Sequence, residues 1–108
     1  MDPIAVLITA ADYDEASRIA EMLVTRQLAA CVQILPHMES VYRWEGKIER
    51  QSEILLLVKT VNSRFGELQQ AVRAIHSYQT PEIVALPIVQ GSDDYLSWLT
   101  DAVRTSDN

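Results

Sequence analysis

The sequence of 108 residues predicts one α+β domain, and three observations predict its architecture. Apolar strand-like runs and amphipathic helical repeats follow one another in the order βαββαβ, with a further helix at the end. The two middle runs are separated by a two-residue turn signal, Glu45 and Gly46. Proline interrupts only the runs that this order places at the rim of a sheet, at Pro36 and Pro87. Two βαβ units joined by a hairpin make a ferredoxin-like sandwich, a four-stranded sheet with two helices on one face.

Each element has a local reason. Residues 4–8, Ile-Ala-Val-Leu-Ile, form a continuous β-branched run suited to a central strand. Asp12 offers an N-cap with Glu15 three positions on, a capping-box variant, and Ala16, Ile19, Ala20 and Leu23 then mark one face of a helix reaching about Gln27. Residues 30–35 turn extended, Pro36 breaks them, and residues 40–44 resume the alternation. Residues 47–60 return, polar first and then Ile-Leu-Leu-Leu-Val from position 54. Both arms exceed the usual strand of about 5–6 residues, so the outer hairpin is expected to overhang the sheet. Asn62 or Ser63 is expected to cap a second helix through Phe65, Leu68, Val72 and Ile75, ending near His76. A fourth strand is expected over residues 82–89, and Ser92 to cap a third helix with Asp93 and Asp94 in its first turn. Residues 105–108 are expected to fray.

Length and composition bound what such a domain does. Residues 1–108 make one domain, with 48% hydrophobic and 22% charged residues. The net charge of -6 comes without a basic cluster, because Arg43, Lys47 and Arg50 are interleaved with Glu45 and Glu49. That argues against nucleic acid and anionic membranes as partners. Cys31 is the only cysteine, so no internal disulfide forms. The start Met-Asp-Pro-Ile lacks a basic, apolar leader and no run approaches the ~20 residues of a membrane helix, so a cytoplasmic protein is expected.

One sheet face of this fold is left without helices, and it carries part of several apolar strands. The overhanging hairpin adds Val41, Tyr42, Trp44 and Ile48, and the third helix adds Trp98. A monomer tolerates only a few hundred Å² of contiguous exposed apolar surface, so self-association into a closed ring is expected. The alternative is a monomer whose third helix covers the open face.

Few residues offer chemistry. Cys31 reads as a small buried hydrophobe or as a soft metal ligand or thiolate. His76 closes the second helix, where its cation would meet the helix C-terminus, or it binds metal. His37, beside Pro36, is expected in solvent. No segment contains a closed metal motif, a phosphate loop or a nucleophile–base pair, so the chain is not expected to be an enzyme. Tyr42, Trp44, Lys59, Tyr78 and Glu82 remain as residues that would hold a small ligand between subunits, with packing at an interface as their other reading.

Five stretches carry a resemblance. Leu28-Ala29-Ala30-Cys31-Val32, Ser40-Val41-Tyr42-Arg43-Trp44-Glu45-Gly46-Lys47, His76-Ser77-Tyr78-Gln79-Thr80-Pro81-Glu82-Ile83, Leu86-Pro87-Ile88 and Tyr95-Leu96-Ser97-Trp98-Leu99 resemble the divalent-cation tolerance family CutA. The resemblance runs unbroken from about Ile4 to Val103. It implies a homotrimer packed through the long hairpins, similar to the trimeric PII signalling proteins, which bind small molecules between subunits. It also implies a response to metal ions and binding of Cu2+ or another divalent cation, with no organic cofactor. The family's metal pattern, a cysteine in the first strand and two adjacent histidines ending the second helix, falls here on Ile8 and on Ile75-His76. What the resemblance leaves is a weaker site on His76, alone or with an acidic neighbour, and Cys31 at a subunit junction. A PII-like sensor of an anionic or aromatic ligand, and a scaffolding trimer without a ligand, are the alternatives.

Overall fold

The alternation of the apolar strands sets the sheet. A computed structural model describes residues 2–104, so the tail expected to fray lies outside the described residues. Strands β1 (Pro3–Ala10), β2 (Cys31–Trp44), β3 (Lys47–Val61) and β4 (Ile83–Pro87) form one antiparallel sheet in the order β2-β3-β1-β4. Proline falls inside the edge strands, at Pro36 and Pro87, and in the centre only at the first residue of β1, Pro3, because an edge strand or a strand start can lose one N–H donor without orphaning a neighbour. Helices α1 (Tyr13–Thr25) and α2 (Phe65–Ile75) connect the strands, and α3 (Asp93–Ala102) follows them. This is the ferredoxin-like sandwich with an added C-terminal helix.

Side-chain alternation divides the sheet into two unequal faces. Ile4, Val6, Ile8 and Ala10 of β1, with Leu56 and Val58 of β3, pack against Ala16, Ile19 and Leu23 of α1 and Leu68 and Val72 of α2. The opposite face carries Leu7, Leu57, Val84 and Leu86, the partners in register across β3, β1 and β4. Helix α3 covers one end of that face, where Leu99 and Val103 bury against Ala30 and Val61. It does not reach the rest, and Leu35, Val84 and Leu86 stay 43–47% exposed. The outer hairpin extends the molecule to 47 × 27 × 22 Å.

The ends of the elements show where local signals prevailed. Asp12 Oδ1 accepts from the Glu15 amide at 2.9 Å, as its position predicts, while the Glu15 carboxylate accepts from the Ala11 amide instead of that of Asp12. Ser92 caps α3 through the Tyr95 amide. The second cap differs from expectation: Asn62–Arg64 form a single 3-10 turn, and α2 begins after Arg64 with no side-chain cap. The guanidinium of Arg64 donates instead to the Val103 carbonyl at the end of α3. β4 is shorter than the expected 82–89, ending at Pro87, and the Ile88 amide adds one more bond to the Pro3 carbonyl. No helix among the described residues is long and apolar enough to cross a membrane.

Candidate functional site

The site begins with a bulge. Leu35 pairs with Leu55 and Met38 with Glu53, so Pro36 and His37 together stand opposite Ile54. His37 takes a φ of 64° there and is exposed, the left-handed conformation that lets a strand accept an extra residue. One inserted residue reverses which side chains of β2 face which way. Cys31, Gln33 and Leu35 lie on the open face before the bulge, and Ser40, Tyr42 and Trp44 lie on it afterwards. Without the insertion Tyr42 and Trp44 would point to the other side.

The outer hairpin and the loop between α2 and β4 thereby enclose a cleft of about 540 Å³. It is lined by Tyr42, Trp44, Gln51, Glu53, Tyr78 and Glu82, with Thr9 at its floor. The Tyr42 hydroxyl donates to Gln51 Oε1 at 2.8 Å, Gln51 Nε2 donates to the Tyr78 hydroxyl at 3.1 Å, and that hydroxyl donates to Glu53 Oε2 at 2.7 Å. Every donor in the relay points toward Glu53, so the bonds polarise one another in one direction. Burial first, then the hydrogen bond and charge of Glu53, push the Tyr78 phenol well above the usual tyrosine range. Removing the Tyr78 proton would set a phenolate against a carboxylate.

A second network holds the cleft's back wall. His76 ends α2 in extended backbone, and its side chain is fully buried. The Tyr78 amide donates to Nδ1 at 3.0 Å, which requires a lone pair on that nitrogen. The proton therefore sits on Nε2, which donates to the Thr9 carbonyl at 2.7 Å. Beside it, Glu15 accepts from the Ser77 amide at 2.6 Å and from the Ser77 hydroxyl at 3.1 Å. Burial by itself would raise the Glu15 carboxyl. The amides of Ala11 and Ser77 and the Ser77 hydroxyl outweigh burial and hold it below the ordinary 4.5. His76 at the helix end is thus a clamp joining β1, α1 and the loop that carries Tyr78.

The other end of the open face has different chemistry. Cys31 Sγ lies 3.9 Å from the Tyr95 hydroxyl, and Lys59 Nζ donates to Gln33 Oε1 at 3.0 Å while standing 5.9 Å above the Tyr95 ring. Burial, followed by the hydrogen bond and charge of Cys31, raises the Tyr95 phenol. Lys59 pairs with Ala5, four residues along β1 from Thr9, which places the two ends about 13 Å apart.

Tyr42, Trp44, Tyr78 and Glu82 therefore meet in one cleft, and Lys59 does not join them. Cys31 and His76 do not converge within a subunit. Both ring nitrogens of His76 have partners, and among the described residues no three His, Cys, Asp or Glu side chains gather as a metal-ligating group. One subunit's residues do not fit a closed copper site. Sequence reasoning missed Glu15, Gln51 and Glu53. The signal for the last two was present in the polar start of β3, but which face they occupy depends on the register opposite the bulge.

Comparisons with known proteins agree with this fold over nearly the whole chain. A family model described as CutA1 divalent ion tolerance protein matches residues 4–102. The chain is 49% identical over 96 residues to the divalent-cation tolerance protein CutA of Thermus thermophilus, covering 89% of this chain and 93% of that protein. It is 46% identical to the chloroplastic protein CutA of Arabidopsis thaliana over 94% of this chain, but spans 56% of that longer relative. The crystal structure of CutA1 from Oryza sativa superposes with a TM-score of 0.94 at 42% identity, covering 98% of this chain and 97% of the other.

Proposed function

The chain belongs to the CutA1 divalent ion tolerance family, and from that premise we propose that it serves divalent-cation tolerance as a cytoplasmic, non-enzymatic homotrimer that binds copper or a similar divalent cation where subunits meet. The observation that carries the assembly is the unpartnered outer hairpin: Val41 and Ile48 are 53% and 61% exposed in the single chain. Together with Val84 and Leu86 they offer apolar surface that a second copy would cover. The number three rests on the family resemblance.

Cys31 is the metal ligand open to an incoming ion, because it is half-buried and its thiol makes only a long contact to Tyr95. His76 would have to surrender a bond to Thr9 or Tyr78. A thiolate suits the cuprous ion and imidazole or carboxylate the cupric one, so a divalent ion held at a junction on Cys31 calls for an imidazole or carboxylate beside the thiol. Sedimentation at micromolar concentration is expected to give three times the subunit mass, and a stable single subunit overturns the assembly. Titration of metal-free protein with Cu2+ tests the ligand. Cys31→Ser is expected to weaken binding by about tenfold or more, whereas His76→Ala lowers thermal stability and leaves affinity unchanged. The opposite pattern assigns the ion to His76.

A second reading is favoured by the cleft. Four of the five residues expected to hold a small ligand line one cavity whose size falls in the range of about 300–1,000 Å³ typical of ligand pockets. This reading makes the trimer a small-molecule sensor in the manner of PII proteins. A thermal-shift screen separates the two, since stabilisation by metals alone counts against it.

A further inference from the structure

We infer that the cleft between the outer hairpin and the α2–β4 loop takes an organic ammonium ion, an amine whose charge meets Glu53 and whose carbon frame lies on Tyr42 and Trp44. This rests on the small-molecule reading of the cleft and names its ligand class.

The charge of the walls carries the argument. Glu53 and Glu82 line the cavity, and among the described residues no Lys, Arg or His does. Glu53 is only 7% exposed, and a buried carboxylate is costly unless its oxygens are engaged. Its Oε2 accepts from Tyr78. Among the described residues no basic side chain pairs with the carboxylate, and because no buried side-chain oxygen lacks a partner, Oε1, which accepts no hydrogen bond, opens to the solvent of the cleft. One oxygen of a nearly buried anion is left for something outside the subunit.

The relay strengthens the preference. The Tyr42 and Tyr78 hydroxyl hydrogens are both committed toward Glu53, and since the Tyr78 oxygen already accepts from Gln51, it is the Tyr42 oxygen that keeps its lone pairs for a donor. An ammonium group supplies donors; a carboxylate or phosphate would meet acceptors and two negative charges. Tyr42 and Trp44 are 39% and 54% exposed, and aromatic faces attract cations through their quadrupole. A bare divalent ion is less suited, because the described residues gather no three ligating side chains there. Of the anionic or aromatic ligand expected of a PII-like cleft, this keeps the aromatic character and gives it a positive charge.

The chain has two tryptophans, so a Trp98→Phe background leaves Trp44 as the sole indole reporter in the assembled protein. Titration with phenethylammonium chloride at constant ionic strength is expected to quench Trp44 saturably, while sodium phenylacetate, of the same shape and opposite charge, does not. Glu53→Gln, which keeps an acceptor for Tyr78, is expected to weaken the ammonium response by about tenfold or more. The exposed Glu82→Gln is expected to weaken it less, and it keeps the test open if the Glu53 variant misfolds. Equal responses to the two probes, or an unchanged response in both variants, overturns the inference. Quenching by phenylacetate alone refutes the ammonium assignment and leaves the small-molecule cleft standing. Silence toward both probes removes both. Copper binding is read separately and is untouched by either result.

Discussion

The inner and outer halves of the β2–β3 hairpin share one antiparallel ladder and have opposite fates. Inside the bulge, from Cys31↔Lys59 to Leu35↔Leu55, the strands lie beneath α1, and Leu56 and Val58 are completely buried. Outside it, from Met38↔Glu53 to Trp44↔Lys47, the ladder continues in register while Val41, Trp44 and Ile48 remain in solvent. Backbone pairing is therefore not what buries a strand; a second layer is. An isolated two-stranded ribbon is marginal in water, so the inner half draws its stability from its own helices and the outer half from surfaces beyond the subunit.

The sharpest way to break this contrast is to truncate one side chain in each half. Leu56→Ala is expected to destabilise the subunit by about 2–5 kcal/mol through the cavity it leaves, read as a lowered denaturant midpoint. Ile48→Ala is expected to change subunit unfolding far less and to dissociate the assembly. Equal loss of subunit stability in the two variants would place the outer ribbon in the core. Next in size is Glu15→Ala, which strips the acceptor from the Ala11 and Ser77 amides at about 1–3 kcal/mol for each donor left buried.

Glu15 also carries a pH signature. Its carboxyl lies below the ordinary 4.5 in the folded state, so its stabilisation is complete above that value and is lost as pH falls through the lower, folded one. Acid titration of stability is expected to be shallower in Glu15→Gln than in the parent, and parallel curves would remove Glu15 from the account. Gly46→Ala comes next, at about 1–2 kcal/mol, because Glu45 and Gly46 take φ of 51° and 80° in the hairpin turn. That loss is expected in the assembly more than in the subunit. Smallest is Glu39→Ala. Its 3.0 Å bridge to Arg50 joins groups more than half exposed, so a change below about 1 kcal/mol is expected in chemical denaturation. A larger one would mean that the outer ribbon is already shielded.

Much of the fold was legible because its signals are local. The run at residues 4–8 and the apolar end of β3 announce central strands, Pro36 and Pro87 announce edges, and Asp12 and Ser92 announce helix starts; each depends on neighbours within one turn or one pleat. Neither Asn62 nor Ser63 caps α2, because both lie in the 3-10 turn that precedes it, and Arg64 reaches the end of α3, a partner 39 positions away. The site was legible in part for the same reason. Tyr42, Trp44, Tyr78 and Glu82 could be singled out as aromatic or acidic residues near breaks in pattern. Lys59 shares a strand with Glu53 and Gln51, yet its distance along that strand places it with Cys31 and Tyr95.

By itself, then, the amino-acid order determined the elements, their sequence, the two covered and uncovered faces and the overlong hairpin, all consequences of periodicity and of where proline withholds a donor. Tertiary structure alone decided that a bulge turns Tyr42 and Trp44 onto the open face, that a relay of hydroxyls and amide ends on Glu53, and that His76 spends both nitrogens on Thr9 and Tyr78. The physical reason is the range of the interactions. A strand's pattern is set by adjacent residues, whereas a buried polar group takes whichever partner the packing of distant segments brings within hydrogen-bond reach.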